Sequence, residues 1–392
     1  MQYLYEQSPE LPSLEVTYKV LRENQSNIQL ICRVNASELG IRRDERGNAF
    51  HDFTFRYKLY HTYSDPVAVD SGQLILRDIP KNAGSWIEDT IALKLNASRK
   101  YVADIVCKDL NSSRSNNQFI DIDGGAKFNA QDVKVYYGDE LQFSPYLTQE
   151  DTVELIVNRN VSTLYARMYK REFQMASAPF AIIDPKPFEF KPDYLLLLNR
   201  QEDGSFKLPI QSNAFYQLAL DTGKFEGPTI YHFGENFPFP RTVKDLVLPL
   251  RYITTNDEYR DLTKEGMSKK KVDAYWLKVG GSKERAKELI RAYYSRVEYA
   301  NRFFSSYLEG WKTDRGMCYI IYGEPDIVYK STSSETWIYG EEGVYSSLNL
   351  TFTRVTNPFT DNDFRLNRST ALKSSWYRAV EFWRQGRVIT YK

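Results

Sequence analysis

The stretch SKERAKELIRAYYSRVEYANRFFSSYLE at residues 282–309, followed by GWKTDRG at 310–316, MCYIIYGEPDIVYK at 317–330 and ETWIY at 335–339, decides how the rest of the chain is read. Ala286, Leu289, Ile290, Tyr293, Val297, Ala300, Phe304 and Tyr307 recur at three- and four-residue steps, the signature of a helix with one buried face. Ser282 stands where its hydroxyl can accept from an unpaired amide of the first turn. Gly310 follows the last periodic residues and is expected to end the helix in the left-handed conformation. Trp311 follows this stop. The residues against which it would fold back are Ser305 and Ser306, so its ring is expected to enter a wider core. Residues 317–330 read as an aromatic β-segment, with Cys318 packed in its sheet.

Working outward, residues 256–263 and 269–279 carry helical pattern, and Gly280-Gly281 punctuates them before the long helix. Beyond the signature, Leu348, Leu350 and Phe352 alternate as a strand, residues 357–368 read as a loop, and residues 376–385 as a last helix or an aromatic arm. Residues 246–392 are therefore expected to form an α+β domain. Upstream the period changes to two. Ile28, Leu30, Cys32 and Val34 alternate, as do Phe53, Phe55, Tyr57 and Leu59, then residues 86–95, then Tyr101, Ala103, Ile105 and Cys107. Short strands at this spacing predict an antiparallel sandwich of immunoglobulin or fibronectin type over residues 1–125. Residues 164–169, 194–198, 206–210 and 216–220 predict a second sandwich over 126–245. Pro185-Lys186-Pro187 and Phe237-Pro238-Phe239-Pro240 serve as edges or connectors, because proline cannot donate to a ladder. The fold class is multidomain and mainly β, two tandem sandwiches followed by the α+β unit.

Composition narrows function by exclusion. In 392 residues, 52 basic against 51 acidic side chains leave a formal charge of +1, which argues against a generic nucleic-acid binder or a polybasic membrane surface. No apolar run approaches the ~20 residues of a membrane-spanning helix. Met1-Gln2 is not followed by an apolar signal core, so the chain reads as a mature region supplied with a start codon. An aromatic fraction of 15%, with 29 Tyr, suits β-sheets with aromatic cross-strand pairs and leaves material for recognition surfaces. Cys32 and Cys107 both fall on the apolar phase of their strands. They are either a disulfide across the first sandwich or two packed thiols. His51, His61 and His232 are scattered through the β-domains and suggest no catalytic or metal role. No Cys-x-x-Cys, His-Glu-x-x-His, Walker or Gly-x-Gly-x-x-Gly pattern occurs, so neither metal nor nucleotide cofactor is expected.

Gly310, Trp311, Thr313 and Asp314, extended by Arg315-Gly316, resemble the name-giving motif of the GWxTD-domain family of Bacteroidota. The flanking YSRVEYANRF at 294–303, YIIYGEPD at 319–326 and Glu335-Trp337-Tyr339 are similar to the family pattern, and the resemblance covers roughly residues 250–385. Tyr275-Trp276 departs from an expected Phe-Trp pair, aromatic for aromatic. The resemblance implies an extracytoplasmic protein of the periplasm or outer membrane with no established enzymatic activity. Its partners would be proteins of an envelope complex for secretion or transport, and its only membrane attachment an N-terminal lipid anchor. The signature set expected to carry binding is Gly310, Trp311, Thr313, Asp314, Arg315, Tyr322, Gly323, Glu324, Pro325, Asp326 and Trp337.

Two readings compete at each charged position. Glu324 and Asp326 could present paired carboxylates, or could belong to a tight turn in which Asp326 bonds its own backbone. Asp314 and Arg315 could line a pocket, or could tie the helix end to the sheet, since buried charges need partners. The structural reading is favoured for both. A glycan-acting enzyme built on Asp314, Glu324 and Asp326, and a carbohydrate-binding surface built on exposed aromatics, stand as alternatives.

Overall fold

In the computed structural model the described residues are 3–5, 14–24, 27–79, 85–95, 99–125, 127–182, 188–264, 266–343 and 347–388. The Pro185-Lys186-Pro187 connector lies outside them. The chain is mainly β, with several antiparallel sheets and a smaller C-terminal helical region.

In the first unit, Asn27–Asn35 is the centre of a three-stranded antiparallel sheet between Val16–Arg22 and Trp86–Lys94. It faces a five-stranded sheet in which Ala49–Tyr60 pairs with Lys100–Asp109, Asp70–Asp78 and Arg42–Arg43, and Ser115–Asp123 closes the far side. The period-two alternation explains this arrangement, because Leu30, Cys32 and Val34 from one sheet meet Phe53, Phe55, Ile105 and Cys107 from the other in one core. Cys32 and Cys107 are free, buried thiols, not a disulfide. Both behave as small hydrophobes. Burial pushes both thiols up, Cys107 to about 12, which disfavours the thiolate that disulfide exchange requires.

The second unit has a four-stranded sheet, with Val133–Tyr137 and Thr152–Val157 at its centre, facing a five-stranded one. The latter places Tyr146–Leu147, Thr229–His232, Ala214–Ala219, Thr163–Tyr169 and Tyr194–Asn199 side by side. The Tyr146–Leu147 to Thr229–His232 pairing is parallel. Leu155, Leu164, Phe206, Leu208, Tyr216 and Leu218 fill the space between the sheets. Strand Ala214–Ala219 is buried along its whole length on both faces, so something must cover its outer side.

The third unit supplies that cover. Helices α1 (Val243–Val247), α2 (Asn256–Thr263), α3 (Lys269–Gly280), α4 (Lys283–Phe304), α5 (Asp314–Tyr322) and α6 (Lys373–Arg384) pack with one antiparallel sheet. Ser282 caps α4 by accepting from the Arg285 amide at 3.2 Å, as its position predicts. Three expectations are corrected here. Of the expected β-segment 317–330, residues 317–322 belong to helix α5 and only Ile327–Lys330 is a strand, so Cys318 is a buried helix residue. The 357–368 loop contains a short strand, Phe364–Leu366, that closes the sheet. The strand Tyr3–Tyr5 does not join the first sandwich but pairs with Ile327–Lys330 at the edge of the C-terminal sheet.

Candidate functional site: the signature junction

Helix α4 ends at Phe304, with Ser305 already extended. Its hydroxyl donates to the Asn301 carbonyl at 2.7 Å and accepts from the Gly310 amide at 2.7 Å, which doubles the chain back onto its own helix. Gly310 is not the left-handed stop expected of it. It opens a 3-10 turn, Gly310–Lys312, and is glycine for a different reason: a Cβ there would stand 1.8 Å from the Ala300 carbonyl oxygen. Gly316 obeys the same rule, since its Cβ would meet the Gly310 carbonyl oxygen at 1.8 Å. The two glycines mark the closest approach of three backbone segments.

Thr313 caps α5. Its hydroxyl accepts from the Gly316 amide at 3.1 Å and donates to the Gly310 carbonyl at 2.8 Å. Asp314 follows in the first turn, where a carboxylate suits the helix dipole, and it accepts from the Leu366 amide at 2.9 Å and pairs with Arg368. Arg315 donates to Glu335 at 3.1 Å and to the Asn362 carbonyl at 3.0 Å, with its guanidinium 4.1 Å from the Phe364 ring centre. Burial alone would raise the Glu335 carboxyl, but Arg315 outweighs it and holds the group below its ordinary range. The Trp337 indole N–H points at the same carboxylate, 3.3 Å away. Trp311 is buried with its amide on the Asn301 side-chain oxygen at 3.1 Å, and the Tyr252 hydroxyl donates to its carbonyl at 2.9 Å.

Sequence reasoning missed the residues that lock this junction from outside. The connection between strands Thr163–Tyr169 and Tyr194–Asn199 crosses from the second unit onto the third. The Ala176 amide donates to the Lys312 carbonyl at 2.7 Å, Ser177 offers its carbonyl to Arg368 at 3.2 Å, and the Ser369 amide donates to Pro179 at 3.2 Å. Met175, Ala176, Ala178 and Phe180 pack on the helical core. The only cue in the sequence is an apolar run, Met175 to Phe180, in an otherwise loop-like segment.

The Gly323-Glu324-Pro325-Asp326 turn lies at the other end of α5. Gly323 has φ +89°, and Tyr322 beside it is buried. The Tyr339 hydroxyl donates to the Gly323 carbonyl at 3.0 Å. Pro325 is buried, and the exposed Asp326 does not bond its own turn but accepts from the Gly340 amide at 2.6 Å. Burial first, and then the charge of Asp326, raise the half-buried Glu324 carboxyl. These two carboxylates are neighbours, but Asp314 is at the far end of a nine-residue helix, about 13 Å away along the axis. The three do not converge.

A cleft of about 290 Å³ reaches Trp311 from the second unit, with Phe237, Pro238 and Phe239 on one side and Val297 and Asn301 on the other. Asn301 spans it, donating to the Pro238 carbonyl at 3.0 Å. The histidines take no part in the junction. His51 touches the Gly40 carbonyl at 3.0 Å, His61 lies 3.4 Å from Arg99, and His232 is fully buried in the second unit. Among the described residues no group of three or more His, Cys, Asp or Glu side chains is arranged to hold a metal ion.

No curated protein matches the chain. Among solved structures, one titled "Biofilm associated protein - BSP domain" is similar at 9% sequence identity. The likeness covers 55% of this chain and 51% of that one, at a TM-score of 0.19, too low to transfer fold or function. This chain thus spans about half the length of that structure. Residues 214–385 match the model of the family described as the GWxTD domain, a span that takes in the junction and begins further upstream than the motif pattern suggests, at the doubly buried strand of the second unit.

Proposed function

We propose that this chain is a non-catalytic scaffold of the cell envelope, an exported Bacteroidota protein of the periplasm or outer membrane. In this reading it holds protein partners in a secretion or transport complex, and its two sandwich-like units, of immunoglobulin or fibronectin kind, act as rigid spacers. The observation that carries this reading is the internal use of the signature: Thr313, Asp314 and Arg315 direct their polar atoms to Gly310, Gly316, Leu366, Arg368, Glu335 and Asn362. A motif used this way supports a fixed shape, and a fixed shape serves binding. The glycan-acting alternative requires Asp314, Glu324 and Asp326 in one pocket, and α5 holds the first apart from the other two. The carbohydrate-binding alternative requires a platform of open aromatics. The cluster of Tyr169, Phe215, Tyr231 and Phe359 is buried. The exposed Phe190 and Phe225 lie by a sheet edge of exposed leucines, Leu195 and Leu197, which offer sugar hydroxyls no hydrogen-bond partner.

The test is affinity isolation of the tagged protein from envelopes of the cells that make it, alongside a Glu324→Gln/Asp326→Asn variant. The expected result is a defined set of envelope proteins recovered equally with both forms. Recovery of no partner, together with a glycan-cleaving activity that disappears in the variant, would overturn the scaffold reading.

A further inference from the structure

Strand Tyr194–Asn199 is the outermost strand of the second unit's five-stranded sheet and, among the described residues, is paired only to Thr163–Tyr169. In an antiparallel pair alternate N–H and C=O groups point away from the partner, so among the described residues this strand presents an open hydrogen-bonding edge at residues 195 and 197, while the Asn199 carbonyl accepts from the Gln201 side chain at 2.9 Å. Its sequence is YLLLLN. Leu198 is buried in the sandwich core and Leu196 packs against it, which fixes the register. Tyr194, Leu195 and Leu197 are 59%, 52% and 58% exposed. The apolar surface continues inward from the edge. Leu195 is paired with Arg167, the Phe225 ring lies 4.4 Å from the Arg167 guanidinium, and Phe190 stands 5.5 Å from Phe225, both rings being more than a third exposed.

Edges left open in soluble proteins usually carry charges that block pairing. The molecule contains such an edge for comparison. Strand Asp70–Asp78 also projects an exposed isoleucine, Ile75, but intersperses it with Asp70, Arg77 and Asp78. Strand Tyr194–Asn199 has no charge at all, and the flanking Asp193 is already paired with Arg171 at 3.0 Å.

We propose that this edge is a docking site for an extended segment of a partner protein, which adds to the sheet as a further strand with apolar side chains at alternate positions over Leu195, Leu197 and Phe225. Size selects this occupant. The four partly exposed side chains on this face, Leu195, Leu197, Phe190 and Phe225, amount to a few hundred Å² of apolar surface, short of the roughly 800 Å² per partner that a stable globular interface buries. A main-chain ladder supplies what the side chains lack. The site rests on the reading of the chain as a binding protein and names where one partner would attach.

The test uses the intact chain and a labelled probe peptide, Lys-Lys-Thr-Val-Thr-Val-Thr-Val-Thr-Lys-Lys, with a second peptide carrying proline at its central valine. The Leu195→Lys/Leu197→Lys variant places charge on exposed positions, and its folding is checked by near-ultraviolet circular dichroism. Expected are saturable binding of the first peptide, at least about tenfold weaker binding by the variant, and amide-exchange protection at residues 195–199 on binding. Equal binding of the proline peptide, unchanged affinity in the variant, or self-association of the chain through the same residues overturns the proposal. Envelope partners recovered equally by the double variant would remove this site while leaving the scaffold reading in place.

Discussion

At the scale of single residues, Gly310 shows how a motif position can be conformationally ordinary and still intolerant of change. Its backbone angles suit any amino acid, but the Ala300 carbonyl and the Asn301 Cα occupy the place of a side chain. Both neighbours are main-chain atoms of a 22-residue helix that cannot yield without breaking its own ladder. Gly310→Ala is therefore expected to destabilise the protein by about 3 kcal/mol or more, read as the shift in urea-unfolding free energy. A loss under ~1 kcal/mol would falsify the close approach as the reason for glycine. The same geometry explains why Trp311 is buried. The turn delivers it between Tyr252, whose ring centre is 6.5 Å away, and the cleft of the second unit.

At the scale of elements, the long helix was legible because its apolar residues keep a period and Ser282 marks its start. Helix α5 was not legible, for a physical reason. It is buried on all sides, so MCYIIY shows no helical period, and its aromatic and β-branched residues fit a strand equally well. The one local cue was Thr313-Asp314, a good cap followed by a first-turn acid. The connection that locks the junction left only its short apolar stretch as a cue, because the hydrogen bonds of its grip are made through its backbone atoms, for which composition gives no signal. The ion pair between elements is testable through pH. Glu258, in the first turn of α2, accepts from Arg384 at the end of α6 and from Lys278 of α3. Partial burial opposes the charge, but the hydrogen bonds from Arg384, the Thr255 amide and Lys278 outweigh it and bring the carboxyl down to about 2. A carboxyl depressed in the folded state contributes stability above its unfolded pKa of ~4.3 and loses it as pH falls through the folded value. Glu258→Gln should thus lower the melting temperature at neutral pH, with the gap to the parent protein closing as pH falls from about 4 towards 2. A gap that is constant over that window would remove Glu258 from the account.

At the scale of the whole molecule, part of the aromatic surplus of the sequence forms a joint between the second and third units. Phe359, on the loop before strand Phe364–Leu366, reaches the outer face of the second unit, with ring centres of Tyr169, Phe215 and Phe188 at 5.1, 5.1 and 4.9 Å. The Tyr231 hydroxyl donates to its carbonyl at 2.6 Å, and the Tyr146 hydroxyl donates to the Ser305 carbonyl at 3.0 Å. The first unit is tied in by charge. Arg22 and Arg159 share Asp132 at 3.1 and 2.9 Å, and Arg33 lies between Trp86 and Phe143 at 4.4 and 4.0 Å. Domains joined by small polar contacts move independently, whereas a buried apolar joint couples them. The second and third units are therefore expected to unfold together. Phe359→Ala removes a ring from the centre of the joint, a change that costs about 3–5 kcal/mol in a packed core, without touching the core of either unit. In scanning calorimetry the parent protein should show one transition covering both units, and the variant two. A single transition that merely shifts would mean that the backbone grip of residues 176–179 on the signature couples the units without the ring cluster, and would move the joint from Phe359 to that connection.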